Sequence, residues 1–483
     1  MKKITLLFFI LGIILNVNAQ LQNANWYFGS YAGLNISTET SLVLESPMYA
    51  PNASASVSDE SGNLLFYTNG VDVYNKNHLL MPNGNGTLNG DVEASTVLIA
   101  PTPNDSNKYY IFTVNADYTQ SIGLNYSIVD MALDAGNGDV LTLNTNLLPY
   151  TSEKMAITKT SDGLAYWLVV FAPSTDPSII DTFYSYKIDE YGINLVNQST
   201  FSIFDRIVYN REGQMKISPD NANIAMAHNF SKLTSSPTEV SYCLWTSDFD
   251  ETTGVVSNLA TLYSFIGSNQ YYGVEFSPDS NLLYASESEN ITNEKKIYQY
   301  QYRVSNVGYV VHSTPSTYST PIYAIQRGID DKLYVATDFN HLAVINNPNG
   351  LNENCNFTLD AVSFEHLRLG GVIKGLPQYV PDAILSLPPP PIKSNNNPIV
   401  LGNPIKDDLK IKFDDVQVYT VEIYNSVSNT IDAPEPIKTV IYEDMKNKKV
   451  YHINVSDLPS DTYYLVIRDE NQNVWHETVI KIE

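Results

Sequence analysis

The sequence predicts an all-β protein: a seven-bladed β-propeller closed by its own N-terminal strands, followed by a C-terminal β-sandwich. Three observations predict it. An Asp-centred turn recurs seven times at a spacing near 50 residues. The runs flanking each turn have strand character, alternating or continuously apolar, with no 3.6-residue stripe. The chain carries 34 Tyr, a residue that suits a pleated, half-buried surface.

The turns come in order along the chain. Ser58-Asp59 precedes Leu64-Leu65-Phe66-Tyr67, and Asn104-Asp105 precedes Tyr109-Tyr110-Ile111-Phe112. Ser161-Asp162-Gly163 leads to Tyr166-Trp167-Leu168-Val169, and Ser218-Pro219-Asp220 to Ile224-Ala225-Met226. Ser277-Pro278-Asp279 then precedes Leu282-Leu283-Tyr284, and Asp330-Asp331 precedes Leu333-Tyr334-Val335. Val380-Pro381-Asp382 is the last. The Asp-to-Asp steps are 46, 57, 58, 59, 51 and 52, the length of a four-stranded blade with its loops.

Each turn also follows an apolar run: Ala53–Val57, Val97–Ala100, Met155–Thr158, Gln214–Ile217, Val274–Phe276, Tyr323–Ile325 and Gly375–Val380. These are read as the innermost strands. Pro fixes φ and Asp bonds to its own backbone, which accounts for the Ser-Pro-Asp chemistry. After Asp382 the chain enters Leu387-Pro388-Pro389-Pro390-Pro391 and has no further strands to give. The missing ones lie at the start, with Asn25–Gly29 as a second strand and Gly33–Ile36 as a third. One blade should therefore join both chain ends and remove exposed edges.

The domain reading is 1–19 signal peptide, 20–386 propeller, 387–397 linker rich in Pro and Asn, and 398–483 sandwich. Lys2 and Lys3 precede an apolar run from Ile4 to Leu15, too short to span a bilayer, and Val17-Asn18-Ala19 has cleavage-site character. The last domain alternates, as in Leu409-Lys410-Ile411-Lys412-Phe413, and its length fits seven strands. The two Cys, Cys243 and Cys355, are far apart and are read as two thiols, so stability rests on a core.

Asn403-Pro404 with Leu409-Lys410-Ile411, the block Val421-Glu422-Ile423-Tyr424-Asn425, and Ile453–Ser460 with Leu458 running into Tyr463-Tyr464-Leu465 carry a family resemblance. The domain resembles the type A C-terminal sorting domain of type IX secretion cargo in Bacteroidetes-like Gram-negative bacteria. That resemblance implies an immunoglobulin-like β-sandwich, the type IX secretion machinery as a partner, and a secreted or cell-surface location. The body, through Trp26-Tyr27-Phe28-Gly29, Gly62–Asn75 and Gly375-Leu376-Pro377, is similar to WD40-like propeller domains attached to such tails. That resemblance implies a fold and no activity.

The chain has 28 Lys and Arg against 52 Asp and Glu, a net charge of −24, which argues against a nucleic-acid partner. The seven His form no His-x-x-x-His pair, and no Gly-x-Ser-x-Gly elbow occurs. No catalytic, metal or cofactor site is assigned. Asp248, Asp250 and Glu251 before Gly254 read as a hairpin turn rather than a calcium loop. One Asp per repeat turn is likewise too few ligands for an ion.

Geometry supplies the candidate site. Residues just before the innermost strands should ring the central funnel: Glu93, Glu153, Lys154, Arg211, Glu212, Tyr271, Tyr272, Tyr323 and Lys374. The bland alternative is a solvated rim of paired charges. Loops at Ala172–Thr182, Asn229–Val240 and Ser286–Lys295 should rise on the same face. The leading reading is a binding or adhesion protein for an extracellular glycan or protein. The rivals are a hydrolase or lactonase-like enzyme using Glu93, Glu153 or Glu212, and a structural surface spacer.

Overall fold

The computed structural model describes residues 21–37, 41–52, 54–92, 96–103, 105–115, 120–201, 213–232, 239–266, 270–289, 294–314, 322–337, 340–367 and 370–381, then 399–401, 405–412, 419–425, 437–442, 450–460, 462–469 and 474–482. The chain divides into two compact units, Met1–Leu385 and Ser386–Glu483. The expected signal peptide and linker lie outside the described residues. No described helix is long and apolar enough to cross a membrane.

Both units are built from small antiparallel sheets, with only three short 3-10 turns among the described residues. In the first unit β1 (Asn25–Asn35) pairs with β2 (Leu42–Ala50), and β3 (Ala55–Ser58), β4 (Leu64–Thr68) and β5 (Val73–Asn75) form the next sheet. Five four-stranded sheets follow, each in chain order. They are β6 (Val97–Thr102), β7 (Asp105–Asn115), β8 (Gly123–Asp130) and β9 (Asp139–Leu148); then β10 (Met155–Lys159), β11 (Tyr166–Pro173), β12 (Ile180–Asp189) and β13 (Gly192–Thr200). Next come β14 (Met215–Ile217), β15 (Asn223–Lys232), β16 (Glu239–Asp250) and β17 (Val255–Ile266). The last two sheets are β18 (Gln270–Phe276), β19 (Leu283–Glu289), β20 (Lys296–Tyr300), β21 (Gly308–Ser313), and β22 (Ile325–Arg327), β23 (Leu333–Ala336), β24 (His341–Ile345), β25 (Phe357–Ser363).

Period-2 geometry explains how the sheets stack. Along β11, Tyr166, Leu168, Val170 and Ala172 enter one apolar cluster with Leu98, Phe112 and Leu124 of the preceding sheet. The alternate residues Trp167, Val169 and Phe171 enter another with Met215, Met226 and Trp245 of the following sheet. Burial on both faces is why these strands read as continuous apolar runs. The same exchange recurs between β14–β17 and β18–β21, and between β18–β21 and β22–β25. Clusters also join β1–β2 to β3–β5, and β3–β5 to β6–β9. Trp26, Phe28 and Leu34 of β1 pack with Tyr334 and Leu342 of the final sheet and with Phe364 just after it.

The Asp turns take the expected form at six described positions. Asp59, Asp105, Asp162, Asp220, Asp279 and Asp330 each accept, through Oδ1, the backbone N–H two residues later, at 2.9, 3.0, 2.9, 3.2, 3.1 and 3.3 Å. Ser218 and Ser277 donate to the same carboxylates at 2.6 Å and receive the N–H groups of Asn223 and Leu282 at 2.9 Å. Asp382 lies outside the described residues.

Two expectations change. Asn25–Gly29 and Gly33–Ile36 are not separate strands but one strand, β1, bent by an irregularity between Ser30 and Ala32. The run Gly375–Val380 is not a regular strand. It makes a single bridge, Gln378 beside Ala55, and Gly371 upstream of the run bridges Ser30. Asn23 then holds Val380 through its side chain. The Asp250 turn is a hairpin as read: Asp250 O accepts Gly254 N–H at 2.7 Å between β16 and β17. Cys243 and Cys355 are buried thiols with no disulfide between them.

The second unit has a three-stranded sheet of β26 (Ile399–Leu401), β27 (Asp408–Lys412) and β30 (Val450–Asn454). Its four-stranded sheet contains β28 (Tyr419–Asn425), β29 (Lys438–Tyr442), β31 (Thr462–Asp469) and β32 (Val474–Ile480), in the order β29-β28-β31-β32. Leu409 and Ile411 of one sheet share a core with Val421, Ile423, Tyr463 and Leu465 of the other.

Candidate functional site

The described funnel candidates occupy different environments. Glu93, Arg211 and Glu212 lie outside the described residues. Glu153 and Lys154 are buried, at 4% and 0% exposure, rather than solvated. The reason is local. The β10–β11 ladder runs on past Met155, with Phe171 N–H donating to Lys154 O at 3.0 Å and Ser152 N–H to Phe171 O at 3.3 Å. Glu153 is thereby drawn inside, where Oε2 accepts Gly213 N–H at 3.3 Å. Tyr271 is a core residue, and burial pushes its phenol far above the usual value.

Three candidates do meet. Lys374 Nζ stands 4.4 Å from the ring centre of Tyr272 and 5.7 Å from that of Tyr323. The two rings meet edge to face at 5.7 Å.

A cavity of about 220 Å³ lies at the other end of the inner strands, reaching the turn residues Ser218, Pro219, Asn221 and Pro381. Its polar wall was missed in the sequence. Lys216, Glu275, Gln326 and Gln378 each stand four residues before a turn Asp: Asp220, Asp279, Asp330 and Asp382. A charged or amide side chain in the middle of an otherwise apolar inner strand was the signal. Equal register places all four at one level of the first unit.

Lys216 ties this level together. Its Nζ donates to Gln326 Oε1 at 2.5 Å and to Gln378 Oε1 at 3.0 Å, and stands 3.4 Å from Glu275 Oε2. Lys216 is 8% and Glu275 5% exposed. Burial lowers the Lys216 pKa, Glu275 opposes that, and nearby Arg327 adds to it. Glu275 also accepts the N–H groups of Phe276 at 3.0 Å and Arg327 at 3.2 Å. Three donors thus hold the Glu275 carboxylate in place, and the pair organises the wall of the cavity. Arg327 lies over the Tyr379 ring at 5.5 Å, and both line the cavity.

Among the described residues no three His, Cys, Asp or Glu side chains converge as a metal site. In the second unit, Leu409 and Tyr463 are core residues, and Leu458 packs against that core. Tyr463 Oη donates to Pro459 O at 2.7 Å. Tyr424 sits in β28 opposite Tyr464, while Asn403 and Pro404 lie outside the described residues.

A family model described as a secretion system C-terminal sorting domain matches residues 400–481. This tail marks the chain as type IX secretion cargo. The protein is therefore secreted or held at the cell surface, and its tail engages the type IX secretion machinery. No curated protein sequence matches the chain. Among solved structures, one similar chain is PorZ, described as an essential bacterial surface component of the type IX secretion system of Porphyromonas gingivalis. It is 11% identical with a TM-score of 0.35, over 94% of this cargo chain and 63% of PorZ. This cargo chain thus spans less than two thirds of PorZ. An exo-β-1,3-galactanase of Phanerochaete chrysosporium is 10% identical with a TM-score of 0.31, over 82% of this chain and 96% of that one. A nidogen/laminin complex structure gives 12% and 0.32, over 64% and 94%. At such scores no activity transfers.

Proposed function

We propose that the first unit is a seven-bladed propeller that binds an extracellular glycan in its axial cavity, and that the second is an immunoglobulin-like sandwich serving export. The cyclic run of apolar clusters between successive sheets supports the propeller reading. The polar cavity wall is the observation that carries the binding reading: Lys216, Glu275, Gln326 and Gln378, from four successive repeats, converge at one level beside Arg327 and Tyr379. Amides, cations and an aromatic face suit sugar hydroxyls and ring faces. A glycan array probed with the mature chain, followed by titration of the hits, tests this. Binding abolished by Gln326→Ala or Tyr379→Ala supports the reading, and an array without hits sinks it.

A spacer role is the second reading. Lys216 reaches three other repeats at once, so the polar wall also cross-braces the unit. An array without hits, together with a large stability loss on removing Lys216, would favour it.

A further inference from the structure

The charge inside the cavity runs against the charge of the chain. The protein has a net charge of −24, yet the lining contains three cations, Lys159, Lys216 and Arg327, and one carboxylate, Glu275. Lys216 can donate three hydrogen bonds, and Glu275, Gln326 and Gln378 take them. Glu275 is matched by Lys216 and two backbone N–H groups. Arg327 differs. Among the described residues its guanidinium has a ring contact with Tyr379 and no acceptor or ion-pair partner. A planar five-donor fork on the wall of a half-enclosed space is built to take a carboxylate in two parallel bonds.

We propose that the cavity binds an acidic sugar, with Arg327 clamping its carboxylate and the Gln326 and Gln378 side meeting its hydroxyls. This deepens the glycan-binding reading above and rests on it. The Tyr379 ring, already held against Arg327, offers a face to the pyranose. The volume of about 220 Å³ suits one monosaccharide unit rather than a chain.

Isothermal titration of the mature full-length chain with glucuronate, glucose and inorganic phosphate tests this. Glucuronate is expected to bind at least about tenfold more tightly than glucose, with the difference shrinking in high salt. Arg327→Ala should remove that preference and Arg327→Lys should restore part of it, each variant melting cooperatively. Equal affinity for glucose and glucuronate, or a preference that survives Arg327→Ala, overturns the acidic-sugar assignment and leaves glycan binding standing. Phosphate binding as tightly as glucuronate overturns the carboxylate assignment. No binding of either sugar, with no array hit, overturns both readings.

Discussion

Asn23 and Val380, 357 residues apart, hold each other by two reciprocal hydrogen bonds: Asn23 Nδ2 donates to Val380 O at 2.8 Å, and Val380 N–H donates to Asn23 Oδ1 at 2.7 Å. An amide side chain here does what a neighbouring strand does elsewhere. Both residues are buried, so neither bond has water as a substitute. Asn23→Ala leaves a buried N–H and C=O without partners, and the expected cost is about 1–3 kcal/mol. A lowered urea midpoint and faster hydrogen exchange at the Val380 amide are the readouts. Unchanged exchange at that amide would show that the seam is held elsewhere.

Gly29 seals the same seam. It has φ +61°, and a Cβ there would lie 2.1 Å from Gly371 O. Ser30 and Gly371 exchange backbone bonds of 2.9 and 2.8 Å at this point. Gly29→Ala should therefore separate the two segments and lower the melting temperature more than Gly192→Ala, where nothing stands within 4 Å. Similar losses in the two variants would mean that backbone strain alone is being measured, since Gly192 also has positive φ.

Breaking the Lys216–Glu275 pair should be costly from either side. Lys216→Met strands a buried carboxylate and is expected to cost about 3–5 kcal/mol. The double variant Lys216→Met, Glu275→Gln should recover a large part of that loss. Urea unfolding of the four proteins of this cycle gives the coupling, and strictly additive effects would show that the pair does not interact.

Acid should weaken the first unit through its turns. Burial alone would raise the carboxyls of Asp59, Asp105, Asp220 and Asp279, but hydrogen bonds from side chains and backbone outweigh it and hold all four below the usual range. A folded-state pKa below the unfolded one adds stability above about pH 4, lost as pH falls through the folded value. Urea midpoints should hold between pH 7 and 5 and then drop. Asp220→Asn and Asp279→Asn should flatten that drop, and an unchanged slope in the double variant would rule the turns out as its cause.

Removing the sorting tail should trap the protein. A chain ending at residue 398 is expected in the periplasm, while the full chain reaches the outside. Fractionation with protease protection distinguishes the two, and surface exposure of the shortened chain would count against export through this tail.

The turns and the inner strands were legible because each is a local event. Asp bonds to an amide two residues on, and an apolar run of four or five residues has few other uses. The tail was legible because its blocks keep order and spacing. The single strand β1 was not, since Gly29 and Tyr31 at positive φ let it bend without ending. The surroundings of two funnel candidates were also hidden. Glu153 and Lys154 look like rim residues by type, but the ladder between Lys154 and Phe171 extends past the apolar run and buries them. Lys216 and Glu275 were passed over within their apolar runs, because the partner that justifies each is 59 residues away.

The slot four residues before each turn Asp holds Ala55, Pro101, Thr158, Lys216, Glu275, Gln326 and Gln378 in chain order. Small or uncharged occupants fill the first three repeats, and polar ones fill the next four. This level is therefore lopsided: the side chains that meet around Lys216 all come from the later repeats. The turns that fix each strand lie outside this slot, so the loss expected on breaking Lys216–Glu275 belongs to the slot itself and not to the turns.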